Sequence, residues 1–299
     1  MITFPISGVE TYWWLPAVVA LAISTFTSTG GVSGAFLLLP FQISILGFTG
    51  PAVSSTNFIY NIVAIPSGVY RYYREKRMVW PLAWTVVAGT LPGVFIGAFI
   101  RVNYLPDPRN FKLFAGLVLL YIGVRLILDL FRKAKKAATM PPEEIKFEVT
   151  EPFLKLGRLG YVFNGVRYGA STFGIGMVSL IVGVIAGTYG IGGGAIMAPL
   201  LVTMFRLPVH TIAGAALLGT FITSIAGVIF YTLIAPFYAG SGMAISPDWM
   251  LGGMFGVGGA LGMYVGARLQ RYMSAKVIKA ILSLVILFVS IKYILQFFS

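Results

Sequence analysis

The sequence contains no cysteine, one histidine (His210) and only nine acidic residues among 299. Disulfides, thiolate catalysis and Cys-ligated metals are thereby excluded. A lone imidazole and carboxylates confined mostly to loops leave little for a metal site or a proton relay, so neither metal nor cofactor is expected. Charge is scarce as well, at 10% of residues against about a quarter in an ordinary soluble domain. With 58% hydrophobic residues and a mean hydropathy of +0.88, the chain could not hide its apolar surface in one water-soluble core. The bilayer is its natural solvent. The first twelve residues carry no Lys or Arg, so the positive start of a secretory signal is missing and none is expected.

What charge there is has one dominant sign, a net +13. In a soluble protein that would raise nucleic acid as a partner. Here the basic residues sit in short clusters between apolar runs, as membrane topology requires, and no nucleic acid is expected. Contact with anionic lipid headgroups follows instead.

Apolar segments of spanning length lie near 51–70, 79–100, 111–130, 211–235, 249–267 and 277–298. Each approaches the roughly 20 residues that a helix needs to cross about 30 Å of hydrocarbon. Two other apolar stretches are interrupted. The run from Trp13 to Leu46 breaks at Ser28 to Gly34, and the run from Phe173 to Phe205 breaks at Thr188 to Gly194. The arms beside each break are too short to span alone, which predicts a re-entrant or broken helical hairpin at each.

The halves repeat. Gly31, Gly34 and Pro40 match Gly190, Gly193 and Pro199 at an offset of 159, which also carries Ser67-Gly68-Val69 onto Ala226-Gly227-Val228. The glycine ladder Gly89, Gly93, Gly97 matches Gly258, Gly262, Gly266 at 169, and Lys112, Tyr121 and Arg125 match Lys279, Phe288 and Lys292 at 167. Lys and Arg placement favours inverted halves with both termini outside. If each break is a hairpin, 17 basic residues face inside and three (Arg101, Arg109 and Lys112) face outside. If each break crosses once, the better split is 12 to 8, and the positive-inside rule prefers the hairpin. Arg125 and Lys292 lie inside apolar runs near helix ends, where they are expected to snorkel. The architecture expected is an all-α integral membrane protein of two inverted repeats, each a hairpin plus three transmembrane helices. The first repeat covers 1–130 and the second 171–299. The linker 131–170 is cytoplasmic, and its Asn164-Gly165 pair marks a two-residue turn that leaves either a small β element or a flexible linker.

Irregular backbone survives in a bilayer only where it lines a cavity or is buried in protein. A helix restarting after a break presents free N–H groups and a positive dipole end. Thr29, Gly30, Gly31, Ser33 and Gly34 in the first break, and Thr188, Tyr189, Gly190, Gly192, Gly193 and Gly194 in the second, offer donors and no carboxylate. That chemistry suits an anion, and paired breaks in repeated halves are a transporter pattern. Asn57 and Asn61 lie one helical turn apart, with Thr220 at the repeat position of Asn61; these are binding candidates, or amides that bind helix to helix. The plainer reading of the glycine ladders is close helix packing, and that of His210 is an interfacial side chain. Gly31-Val32-Ser33-Gly34 also fits the Gly-x-Ser-Gly of rhomboid-type intramembrane serine proteases, a reading that requires Ser33 within reach of His210.

The break Gly190-Ile191-Gly192-Gly193-Gly194-Ala195-Ile196-Met197-Ala198-Pro199, its weaker first copy from Gly30 to Pro40, and the two glycine ladders together resemble the TauE/SafE family of sulfite and organosulfonate exporters. The resemblance covers nearly the whole chain apart from the linker. It departs at Ser33 and Ala35, where the second copy has glycines. It implies a multi-pass carrier of the cell membrane that exports a small sulfur-containing anion by alternating access, and no enzyme. An anion channel and the protease are the alternatives. The partners expected are the anion and membrane lipids, with a homodimer left open.

Overall fold

The structure, a computed structural model, describes residues 1–29, 33–131, 148–155, 157–269 and 275–298. Gly30 and Gly31 of the first break, residues 132–147 of the linker and Arg271 lie outside the described residues, as do the side chains of Thr29 and Lys276. A short N-terminal ribbon, β1 (Ile2–Thr3) and β2 (Glu10–Thr11), precedes the helices. The first half comprises α1 (Leu15–Thr29), α2 (Ala35–Ser44), α3 (Ala52–Ala64), α4 (Pro66–Arg74), α5 (Trp80–Asn103) and α6 (Pro108–Phe131). The second comprises α7 (Thr172–Tyr189), α8 (Gly194–Phe205), α9 (Val209–Ile234), α10 (Trp249–Leu269) and α11 (Ala275–Phe298).

Five helical segments among the described residues are long and apolar enough to cross a membrane: 80–103, 108–131, 172–189, 209–241 and 279–298. Two expectations change. The span near 51–70 is two helices, α3 and α4, which meet at Pro66. Proline lacks the N–H and its ring crowds the carbonyl four residues back, so one straight helix cannot continue. The first arm of the second hairpin is not too short to span. α7 runs 18 residues, about 27 Å, because it starts at once after the linker, where Ser171 Oγ accepts from Gly174 N at 3.2 Å. α10 has 21 residues, seven of them glycine, which suits it to close packing.

Between the halves, β3 (Val149–Lys155), β4 (Arg158–Phe163) and β5 (Val166–Ser171) form an antiparallel sheet in that order. Asn164 and Gly165 turn β4 into β5, both at positive φ (50° and 72°), as a two-residue turn needs. The sheet is docked. Val149 N donates to Lys76 O at 3.0 Å, and Tyr161 and Thr211 hydroxyls meet at 2.6 Å at the start of α9. Burial pushes the Tyr161 phenol up to about 12, so it remains a neutral hydrogen-bonding group at physiological pH.

The glycine ladders set the helix arrangement. Along α5, Gly89, Gly93 and Gly97 face Gly176, Leu180 and Val184 of α7 in that order, so the two helices run parallel; a Cβ at any of the three would strike α7 backbone. α10 repeats this against α1, with Gly258, Gly262 and Gly266 on Ala17, Leu21 and Thr25. Each ladder thus binds the broken hairpin of the other half. Lipid supplies no hydrophobic drive between helices, so backbone approach of this kind holds them together. Repeat-equivalent helices meet head to tail. Gly116 of α6 faces Tyr293 of α11 while Gly123 faces Leu287, and Phe58 of α3 faces Gly227 of α9 while Gly68 of α4 faces Leu217. Large apolar side chains such as Phe173, Leu233, Leu284 and Phe288 point outward, as lipid-facing surfaces do.

Candidate functional site

α3 carries two wholly buried amides into the middle of the molecule, and both breaks close on them. Asn57 Nδ2 donates to Ala35 O at 3.0 Å, at the start of α2, and to Gly190 O at 2.9 Å, in the second break. Its Oδ1 accepts from Gln42 Nε2 of α2 at 3.3 Å. Asn57 therefore ties one break to the other with every amide group engaged. One turn on, Asn61 Oδ1 accepts from Ser33 Oγ at 3.3 Å. Ser33 Oγ in turn accepts from Ala35 N at 3.4 Å.

The second break is bare backbone. Gly190, Gly192 and Gly193 hold φ of 87°, 71° and 85°, a region that costs an L side chain roughly 1–2 kcal/mol. Gly193 caps α8 without a side-chain hydrogen bond, and Ile196 N and Met197 N both turn back to Gly193 O. Space is closed as firmly as conformation. A Cβ at Gly190 would strike the backbone of Ser54, and one at Gly192 would strike Thr220 Cγ2 while lying 3.0 Å from Ser224 Oγ and 3.2 Å from Asn61 Nδ2. Thr223 Oγ1 reaches Gly192 O at 3.4 Å.

Two of the groups aimed at Gly192 have no hydrogen-bond partner: Asn61 Nδ2 and Ser224 Oγ, both on wholly buried residues. An unsatisfied buried polar group costs about 1–3 kcal/mol, so two at one point mark a place that a further hydrogen-bonding partner would complete. Beside them stands the uncapped start of α8, where N–H groups and the helix dipole favour negative charge. The donors are an amide, a hydroxyl and backbone N–H groups. Among the described residues no group of three or more His, Cys, Asp or Glu could hold a metal ion. The set fits a small anion better than a cation.

Of the residues singled out in the sequence, Ser33, Asn57, Asn61, Gly190, Gly192, Gly194 and Thr220 come together here; a Cβ at Gly194 would lie 2.7 Å from Thr220 Oγ1. Gly193 turns the other way, toward Val182 of α7, and Gly34 faces Tyr60, whose hydroxyl meets Ser24 Oγ at 2.8 Å. The Thr188 and Tyr189 hydroxyls point away from the cluster, to Gly97 O at 3.0 Å and Phe36 O at 3.2 Å. Gln42 and Ser224 were missed by sequence reasoning. Ser224 lies one helical turn after Thr220, the same spacing that drew attention to Asn57 and Asn61. Arg125 does not snorkel: Nη2 donates to Pro199 O at 3.1 Å and Thr203 Oγ1 at 3.0 Å, holding α6 to α8. The Ser33 hydroxyl is engaged by Asn61 and Ala35, and His210 lies exposed in the first turn of α9.

The model of the sulfite exporter TauE/SafE family matches residues 16–293. A probable membrane transporter protein of Bacillus subtilis, YunE, is 23% identical over 286 residues, covering 93% of this chain and 96% of its own. A second from that organism, YjnA, is 24% identical over 285 residues, covering 93% and 98%. A probable membrane transporter protein of Methanocaldococcus jannaschii is 24% identical over 220 residues, covering 72% and 70%. No solved structure matches. The chain belongs to the TauE/SafE family and is a membrane transporter.

Proposed function

We propose that this member of the TauE/SafE family is a secondary carrier that exports a small sulfur-containing oxyanion, such as sulfite or an organosulfonate, by alternating access. The observation that carries the reading is the convergence of both breaks on the Asn57–Asn61 face of α3, with Asn61 Nδ2 and Ser224 Oγ unpartnered at Gly192. Backbone N–H groups, an amide and a hydroxyl hold an anion by several moderate bonds, each about 1.5–3 kcal/mol to a charged group. That is firm enough to select it and loose enough to release it. The head-to-tail meeting of α6 with α11, and of α3–α4 with α9, supports inverted halves. In such a fold one half rocks against the other around a shared central site. Asn57 is suited to the pivot, since it grips both breaks at once.

The family description supplies the anion class, and the donor-rich, carboxylate-free cluster agrees with it. Counterflow of radiolabelled sulfite in proteoliposomes tests the proposal. Saturable uptake accelerated by unlabelled sulfite inside the vesicle is expected. Uptake that rises linearly with concentration and shows no acceleration would mark a channel and overturn the carrier reading.

A further inference from the structure

Arg101, in the last turn of α5, is wholly buried. Its partners are neutral. Nη1 donates to Leu105 O, and Nη2 donates to Thr49 O at 3.2 Å in the loop after α2. The guanidinium lies 3.7 Å from the centroid of the Phe111 ring. Nε makes no hydrogen bond. Among the described residues the ion pairs are Arg71–Glu75, Lys76–Glu148, Arg77–Glu75 and Arg167–Glu151, and none involves Arg101. The acid closest in sequence, Asp107, is engaged elsewhere, its Oδ1 accepting from the N–H groups of Arg109 and Asn110 at the start of α6. A buried guanidinium without a counter-ion is costly, because neutral carbonyls and a ring face offset only part of the lost hydration. A structural role in closing the end of α5 accounts for the two carbonyls. It leaves the idle Nε and the missing counter-charge without an explanation.

The location supplies one. Phe111, under the guanidinium, lies 6.3 Å ring to ring from Tyr189 at the end of α7, where the second break begins. Gly97, one turn before Arg101, accepts from Thr188 Oγ1 at 3.0 Å. The cation therefore stands one helical turn beyond the contact between α5 and the start of the break, toward the end of the bundle to which α5 runs. We propose that Arg101 is an anion-binding station near the end of α7, apart from the central cluster. It takes a small oxyanion on its unpartnered Nε edge and supplies the full positive charge that the cluster itself lacks. The proposal rests on the carrier reading for its substrate class, but not for its existence.

The chain's lack of cysteine gives a direct test. Thr49→Cys places a thiol beside Arg101, to be modified by an anionic methanethiosulfonate reagent, with sulfate as the competing probe. Sulfate is expected to slow modification severalfold, and this protection is expected to vanish in Thr49→Cys/Arg101→Gln. In proteoliposomes, Arg101→Gln should raise the half-saturating concentration of sulfite by roughly ten-fold or more, as loss of a hydrogen bond to a charged group implies. Arg101→Lys should stay within about three-fold of wild type, since it keeps the charge but not the planar fork. A clamp closing a helix end predicts the reverse. Lys and Gln would then lower the melting temperature alike, leave half-saturation unchanged and show no sulfate protection, and that result overturns the proposal. If sulfate protects Thr49→Cys while wild type carries no sulfite, the station stands and the sulfite reading fails.

Discussion

The two breaks share a sequence pattern, and their described residues are built differently. In the second, Gly190, Gly192 and Gly193 adopt left-handed conformations, and bare backbone is wedged against Ser54 and Thr220. In the first, Gly34 sits at an ordinary φ of −69°. There a side chain takes over: Ser33 bonds both Ala35 N and Asn61 Oδ1. A group open to a ligand and a group that satisfies itself are different devices. The second break keeps its surroundings unsatisfied at Asn61 Nδ2 and Ser224 Oγ; at the end of the first, Ser33 is fully engaged.

The sharpest way to break that contrast is to add one methyl group to each copy. Gly190→Ala forces an L residue to φ 87° and drives Cβ into Ser54 backbone. Conformation costs roughly 1–2 kcal/mol and overpacking about 1–3 more, so the variant should lose about 2–5 kcal/mol and all transport. Gly34→Ala has a permitted φ and meets the Tyr60 hydroxyl at 2.7 Å. It should cost about 1 kcal/mol, one side-chain hydrogen bond. Thermal unfolding in detergent and flux in proteoliposomes measure both; equal losses would mean the copies are held alike.

Next in size is the link between the copies. Asn57→Leu leaves Ala35 O, Gly190 O and the Gln42 amide without their partner. At about 1–3 kcal/mol for each group stranded, with some relaxation, a loss of about 2–4 kcal/mol is expected. Because Asn57 and Gly190 touch, the double variant Asn57→Leu/Gly190→Ala should fall short of the sum of its parts. Additive losses would show that Asn57 does not hold the second break.

Spacing alone made the break between α7 and α8 and the Asn164-Gly165 turn legible, because glycine positions and apolar runs are properties of the chain. Which hydrogen bonds a buried polar group makes is a property of its neighbours. Asn57 and Asn61 read alike in sequence, yet one is saturated and the other carries an unpartnered nitrogen. Arg101 counted as one more basic residue outside the membrane, although the α2–α3 loop and Phe111 bury it. The split at Pro66 was visible, but the apolar run continued through it and masked it.

Asn61→Ala should act on affinity more than on stability. It removes an unpartnered donor, which costs the fold nothing, and one bond to Ser33, worth about 1 kcal/mol. If the free Nδ2 faces the anion, half-saturation should rise roughly ten-fold, as losing one hydrogen bond to a charge implies. An unchanged half-saturation would remove Asn61 from the site.

The smallest effect separates the copies by sign. Ser33→Ala and Ser224→Ala delete the same hydroxyl from buried positions, one in the first break and one on the helix facing the second. Ser33 Oγ donates to Asn61 and accepts from Ala35 N, so its loss strands two groups and should lower stability by about 1–2 kcal/mol. Ser224 Oγ bonds nothing, so its loss relieves a buried unsatisfied group. Stability should stay level or rise by about 1 kcal/mol. Flux should order the pair the other way. Ser224 points at Gly192 and would donate to a bound anion, so Ser224→Ala should weaken sulfite more than Ser33→Ala does. A more stable and less active Ser224→Ala is the signature of a group kept unsatisfied for a ligand. If Ser224→Ala is instead less stable, its hydroxyl serves the fold, and the open chemistry of the second break rests on Asn61 and the start of α8 alone.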